Sequence, residues 1–418
     1  MMIHDTVSGN PFGRFLNWLA FSAIFGVLLI VVFVVFVDPY NLYGLVKYSG
    51  INAVKPVLPR YIEEIKLTQA IKLKPDTLIF GNSRAEIGLD PEAAAFSSRG
   101  YSAYNMAIRG ASIASSLRQL DYILQRGIKP KRIIIGIDFV DFMNASGAVD
   151  LDNQQMAPEN TDFPSEKLFW RFDSLFSMSS VKDSINTLFI QNDGEAAITT
   201  ERGFNPLREY LAMARNEGYF VLFRQRAEEN ARTYLKKAAG GFDKSGFAYL
   251  RSMMKNALDA ESEVIVIIYP YHAQILTLFE ETGLLANFTQ WKKLVVEEAE
   301  RYVAQSENSR VTVLDFSGFG ERQCERIPAK GDLRSATQWY WEAGHFKKAL
   351  GDIVLEQALQ QLENPKAFPV GDTNFGVSLN STNLEANLQR INLEKQKCRE
   401  ANPQMFAEVD SLVSSLRK

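Results

Sequence analysis

The chain of 418 residues carries 46 basic and 49 acidic side chains, a formal net charge of -3, and 46% hydrophobic residues. That balance leaves no basic face for nucleic acid and no block of like charge for a binding tail, while the length suffices for one large domain with attachments. Only three histidines (His4, His272, His345) and two cysteines (Cys324, Cys398) are present; the cysteines lack metal-ligand spacing, and both a disulfide between them and two unrelated thiols are open.

In chain order, residues 1–14 form a short tail, expected in the cytoplasm. Residues 15–37, FLNWLAFSAIFGVLLIVVFVVFV, carry no charge, and at about 1.5 Å per residue they match the roughly 30 Å hydrocarbon core of a bilayer. The run is too long for a cleaved signal core and is followed by Asp38-Pro39-Tyr40 rather than small residues, so an uncleaved signal-anchor is expected. Residues 38–75 read as a linker with a short helix near 60–72. Short apolar runs then alternate with helical patterns. Strands are expected at 76–83, 101–107, 131–139, 263–270 and 311–316; helices at about 112–125, 243–260, 287–304 and 346–363. Pro91-Glu92 opens an Ala-rich helix with Asp90 as its N-cap. Residues 145–240 interrupt the alternation with a polar, mostly helical insertion in which FVLF (220–223) is ambiguous. After Pro365 a loop and two further helices, about 383–400 and 404–417, form a C-terminal helical tail spanning 365–418.

Strands that are apolar throughout must be covered on both faces, which predicts an α/β domain over 76–364 with a parallel sheet of about five strands sandwiched between helices. In such sheets ligands sit outside the carboxyl ends of the strands. The first strand ends Phe80-Gly81-Asn82-Ser83-Arg84, placing a serine hydroxyl at that edge, although a plain turn or helix cap reads the same way. Far along the chain, Trp339-Tyr340-Trp341-Glu342-Ala343-Gly344-His345-Phe346 precedes the last helix of the domain. A carboxylate three residues before a histidine can fix its tautomer and leave the other ring nitrogen for a hydroxyl nucleophile. His272, in Tyr269-Pro270-Tyr271-His272, reaches the same edge and reads either as a substrate-binding or tuning group or as a solvated loop histidine. No phosphate-binding loop, dinucleotide fingerprint or zinc signature is found, so no cofactor and no metal are expected.

Gly-x-Ser on the first strand with acid-x-x-His before the last helix resembles the SGNH/GDSL hydrolase superfamily, which implies a flavodoxin-like three-layer sandwich. The resemblance covers about residues 75–363, apart from the insertion. It implies Ser83 as nucleophile, His345 as base and Glu342 orienting it, with Asn82 and Glu342 each standing where the family carries aspartate. The family's Asn-x-Gly-x-x-Gly block is matched by Asn105-Met106-Ala107-Ile108-Arg109-Gly110, which implies the backbone N–H groups of Ser83 and Gly110 as oxyanion donors. Its Gly-x-Asn-Asp block is replaced by Gly136-Ile137-Asp138-Phe139. An ionised aspartate cannot donate to an oxyanion; Asp138 can be protonated, can pair with Arg84 or Arg109, or can serve the fold. Asn105, Asp138, His272 and Arg84 are the further candidates for substrate binding. The anchored layout is similar to proteins of exopolysaccharide O-acetylation and of D-alanyl transfer to teichoic acids. It implies a single-pass protein of the bacterial cytoplasmic membrane, its domain on the outer side, moving acyl groups on an envelope glycan beside polysaccharide machinery. A non-catalytic glycan-binding or assembly subunit that kept the fold is the competing reading, and a cytoplasm-facing lipase is a third.

Overall fold

The computed structural model describes residues 11–57, 60–144, 168–303, 311–364 and 375–417. Its contacts divide the chain into two units, Met1–Tyr61 with Asp162–Gly194, and Ile62–Thr161 with Glu195–Lys418.

In the first unit, helix α1 (Pro11–Val37) is 27 residues long, long and apolar enough to cross a membrane. Most of its large apolar side chains are exposed, among them Phe15, Leu19, Phe25 and Leu29. Residues 38–57, expected as linker, instead fold back on the C-terminal end of α1. Asp38 accepts hydrogen bonds from the N–H groups of Leu42, Tyr43 and Gly44 at 2.8–3.0 Å. Lys55 and Asn52 donate to the carbonyls of Val37, Asp38 and Phe36, satisfying helix-terminal oxygens that have no partner within the helix. Two helices from the insertion, Leu168–Phe176 and Met178–Phe189, pack on α1, and Tyr40 donates to Asp183 at 2.8 Å. The part of the insertion at 168–194 thus belongs with α1, and the part at 195–240 with the sheet; residues 145–167 lie outside the described ones.

The second unit is a mixed α/β domain around a mostly parallel six-stranded sheet. Its strands are β1 (Thr77–Phe80), β2 (Ala103–Asn105), β3 (Arg132–Ile137), β4 (Glu263–Ile268), β5 (Val311–Asp315) and β6 (Val377–Leu379), in the spatial order β6-β5-β4-β3-β1-β2. The five strands read from the sequence are all present and mutually parallel; β6 pairs antiparallel on β5, with Val377 opposite Asp315. This sixth strand falls in the stretch after Pro365 expected as a loop: three residues carry too little periodicity to announce a strand. The central strands are buried on both faces, Leu78, Ile79, Phe80, Ile133–Ile135 and Val264–Ile268 all being inaccessible to solvent, as parallel strands must be.

The helices around the sheet are α2 (Ile62–Leu73), α3 (Ser83–Gly88), α4 (Ile113–Gln125), α5 (Glu209–Glu217), α6 (Tyr219–Ala238), α7 (Lys244–Asp259), α8 (Ala273–Thr282), α9 (Leu285–Val303), α10 (Lys348–Glu363), α11 (Leu384–Ala401) and α12 (Pro403–Leu416). Of these, α2, α4, α7 and α9 to α12 fall close to their expected positions, α5 and α6 lie in the segment expected as mostly helical, and α3 and α8 have no counterpart in the sequence reading. Ser112 caps α4 and Asp243 caps α7 through their side chains, the residue types that satisfy the first N–H groups of a helix. The ambiguous 220–223 lie inside α6. The Ala-rich helix after Asp90 shrinks to Ala94–Ser97. A disulfide joins Cys324 to Cys398 on α11, and Asn387 on the same helix donates to Asp315 at 2.8 Å, so the C-terminal segment is built into the domain.

Candidate active site

Strand β1 gives way at Gly81 to α3, which starts at Ser83. Gly81 has φ +149°, and a side chain there would collide with the Tyr269 hydroxyl and approach the Gly136 carbonyl, so the strand-to-helix turn requires glycine. Asn82 caps α3 by accepting from the Arg84 N–H at 3.1 Å. The serine is therefore the first residue of a helix at the carboxyl edge of the sheet, with its N–H directed away from the helix body like every first-turn N–H.

The opposing group arrives on a hairpin. Tyr340–Glu342 and His345–Phe346 pair antiparallel across Ala343-Gly344, with Glu342 directly opposite His345. The acid-x-x-His spacing thus sits on a tight turn, not on a helix, and the cross-strand position brings the carboxylate to the ring. Helix α10 follows at once, and its Gly351 packs against the Gly88 carbonyl of α3, where a Cβ would collide. That contact lets α3 lie against the hairpin.

The result is a continuous chain of hydrogen bonds. Ser83 Oγ lies 2.9 Å from His345 Nε2. His345 Nδ1 is hydrogen-bonded to Glu342 Oε1, and Glu342 Oε2 accepts the Gly344 N–H at 2.6 Å. Glu342 is buried, whereas the His345 side chain keeps 13% of its surface exposed. Burial pushes the Glu342 carboxyl up, but the His345 ring, its hydrogen bond, Arg226 and the Gly344 N–H outweigh that and hold it down at about 2. An ionised acid is what stabilises an imidazolium formed as the serine loses its proton.

The loop after β2 is fixed to this edge. Asn105 is wholly buried; it donates to the carbonyls of Ala85 and Leu89 in and after α3 and accepts from the Ala107 N–H, all at 2.8–2.9 Å. It therefore holds the serine's helix and does not face substrate. The Ile108 N–H donates to the Gly81 carbonyl at 3.2 Å. Lys66 on α2, buried and pushed down to about 8 by that burial, donates to the carbonyls of Asn105, Ala107 and Gly203. Gly110 is exposed in this loop with φ +71°, a backbone conformation suited to glycine.

Asp138 takes the Arg84 role among those the sequence leaves open. It is ion-paired with Arg84, accepts from Tyr271 Oη at 2.9 Å and from Asn82 Nδ2 at 3.3 Å, and caps the turn at Phe139–Phe142. Asn82 also donates to Asp141 at 3.2 Å. This explains the asparagine before the serine: an aspartate there would set a third carboxylate against Asp138 and Asp141. Arg84 is drawn to Asp138 and over the Tyr271 ring, with its guanidinium carbon 5.3 Å from the ring centre, and not towards open solvent.

His272 is fully buried, contrary to both readings of it as an edge residue open to substrate or solvent. Its Nδ1 accepts from the Gln274 N–H at 3.1 Å as the cap of α8, and its Nε2 lies 2.8 Å from the Glu325 carbonyl. Burial lowers it to about 4, so it is a neutral structural ring between Phe223 and Tyr340.

Sequence reasoning missed Arg226. It lies on α6, in the insertion, 3.2 Å from Glu342 Oε1 and 2.8 Å from Glu229. Only an apolar FVLF start and a run of charges mark this helix in the sequence, and no spacing ties it to residue 342. Among the described residues no group of His, Cys, Asp and Glu could hold a metal ion. No family model matches the chain, and no curated protein matches it in sequence.

Proposed function

We propose that this protein is a membrane-anchored serine esterase or O-acyltransferase of SGNH/GDSL type, acting on acyl groups of an envelope glycan. The observation that carries the proposal is the chain Ser83–His345–Glu342, drawn from two segments about 260 residues apart in sequence and meeting at the carboxyl edge of the sheet. Ser83 attacks an ester carbonyl and its proton passes to His345, whose positive charge Glu342 stabilises. The Ser83 and Gly110 N–H groups receive the oxyanion. The leaving alkoxide takes the proton from His345, and water or a sugar hydroxyl then takes the acyl group by the reverse sequence.

The order β2-β1-β3-β4-β5 of the five parallel strands supports a flavodoxin-like layout. The apolar helix α1 supports anchorage, and the Cys324–Cys398 disulfide supports an oxidising compartment outside the cytoplasm. The engagement of Asp138 with Arg84 leaves two oxyanion donors where three would speed hydrolysis. One donor is worth about 10²–10³ in rate, so slow hydrolysis and acyl transfer are the expected behaviour.

The test uses the full chain in detergent with p-nitrophenyl acetate, beside S83A and H345A. Turnover in wild type that falls by at least roughly 10³-fold in both variants sustains the reading. Turnover equal in all three folded proteins sinks it and leaves a glycan-binding or assembly subunit.

A further inference from the structure

Resting on the reading of Ser83, His345 and Glu342 as a triad, we propose that Arg226 of the insertion is a positioning residue of that triad: by sharing Glu342 Oε1 with His345, it anchors the carboxylate and competes with the ring for it.

The geometry carries the argument. Glu342 has no oxygen to spare: Oε1 faces His345 and, at 3.2 Å, Arg226, and Oε2 takes the Gly344 N–H. The carboxylate is 98% buried as a side chain and Arg226 72%, so water screens their attraction poorly. The other titratable groups acting on Glu342 carry no charge at working pH. Tyr210 on α5 and Tyr234 on α6 are raised above the ordinary tyrosine range by burial, and His272, before α8, is neutral above about 4. Glu229, the second partner of Arg226, is 65% exposed, and its pull on the guanidinium is correspondingly screened. Arg226 is the cation that the structure pairs with Glu342. Tyr210 also touches Trp341, next to the acid, with ring centres 6.2 Å apart. Helices α5 and α6 thus brace the hairpin from the insertion, and the Glu209–Arg109 pair at 3.5 Å ties α5 to the loop carrying Gly110.

Removing the guanidinium leaves a lone buried carboxylate beside the ring, so protonated His345 becomes more favourable and the free base is lost at higher pH. With only three histidines in the chain, the His345 imidazole can be followed directly in the full-length protein in detergent by ¹³Cε1-histidine NMR, its signal assigned by its loss in H345A. In R226M the titration midpoint of that signal moves up by about one pH unit, and the acid limb of kcat/KM moves with it, giving roughly tenfold lower activity on the limb and a smaller change on the plateau. R226K, which keeps the charge, restores most of the shift. An unmoved NMR midpoint in folded R226M, or a midpoint that moves equally in R226K, overturns the proposal. Because the NMR readout needs no turnover, a protein without Ser83-dependent activity would sink the esterase reading while still deciding whether Arg226 governs the ring.

Discussion

Two serines follow parallel strands at the same edge of one sheet, each hydrogen-bonded to a base with an acid close by, and they are built for opposite purposes. Ser83 follows β1, and its hydroxyl meets a single side chain, His345, whose ring is partly open to solvent. Ser317 follows β5 and is fully buried. It donates to Asp315 Oδ1 and accepts from Lys292 Nζ, both at 2.6 Å; Lys292 and Asn387 then take Asp315 Oδ2 at 2.7 and 2.8 Å. Both oxygens of Asp315 and the hydroxyl of Ser317 are engaged within the protein, and one of the cluster's members comes from α11. It is a clasp between the sheet and the C-terminal helices. On the proposed reading, a hydroxyl next to a base serves as a nucleophile only where it stays reachable and the base's far side is held by an acid.

The largest expected effect separates the two serines by activity. S83A loses at least roughly 10³-fold of the p-nitrophenyl acetate rate, whereas S317A stays within about twofold; comparable losses in both would erase the distinction. Stability should divide them the other way. K292M leaves the buried Asp315 carboxylate without its ammonium partner, which costs about 3–5 kcal/mol in urea or thermal unfolding, with the Ser83-dependent rate per folded molecule unchanged. A cost under about 1 kcal/mol would show the clasp to be ornamental.

A third effect sharpens how the edge is closed. The folded His272 ring stays neutral down to about 4, while in the unfolded chain it takes up a proton near 6.5. Its contribution is therefore fully present above pH 6.5 and declines as pH falls towards 4, by about 3 kcal/mol across that window. Comparing unfolding of H272N with wild type over pH 4–7 isolates the slope, since asparagine can still cap α8; parallel curves would place His272 outside the folding linkage. The smallest effect is the stability loss in S317A, about 1 kcal/mol for hydrogen bonds whose partners keep other contacts.

How much of this was legible in the chain differs by region. The strands β1 to β5 announce themselves because burial on both faces demands unbroken apolar runs, and Ile133–Ile135 or Val264–Ile268 admit no other reading. Ser83, Glu342 and His345 were legible because each lies beside a glycine or at a fixed spacing next to a strand end. The pairing of Asp138 with Arg84 was only one of several roles left open, and the burial of His272 was not legible, since each depends on what faces it from a distant segment, the Arg84 guanidinium and the Glu325 carbonyl respectively. Strand β6 is too short to show a period and exists because β5 offers it an edge.

The sequence by itself determined the apolar helix, the five parallel strands and the residue types at their carboxyl ends, because these follow from local periodicity and from hydrogen bonds each segment must satisfy. Only the tertiary structure decided that Glu342 meets His345 across a hairpin, that α6 carries Arg226 to the acid, and that Cys324, Asp315 and β5 hold the C-terminal segment. Those contacts join positions up to about 120 residues apart, and their energies depend on burial and on partners that no local pattern encodes.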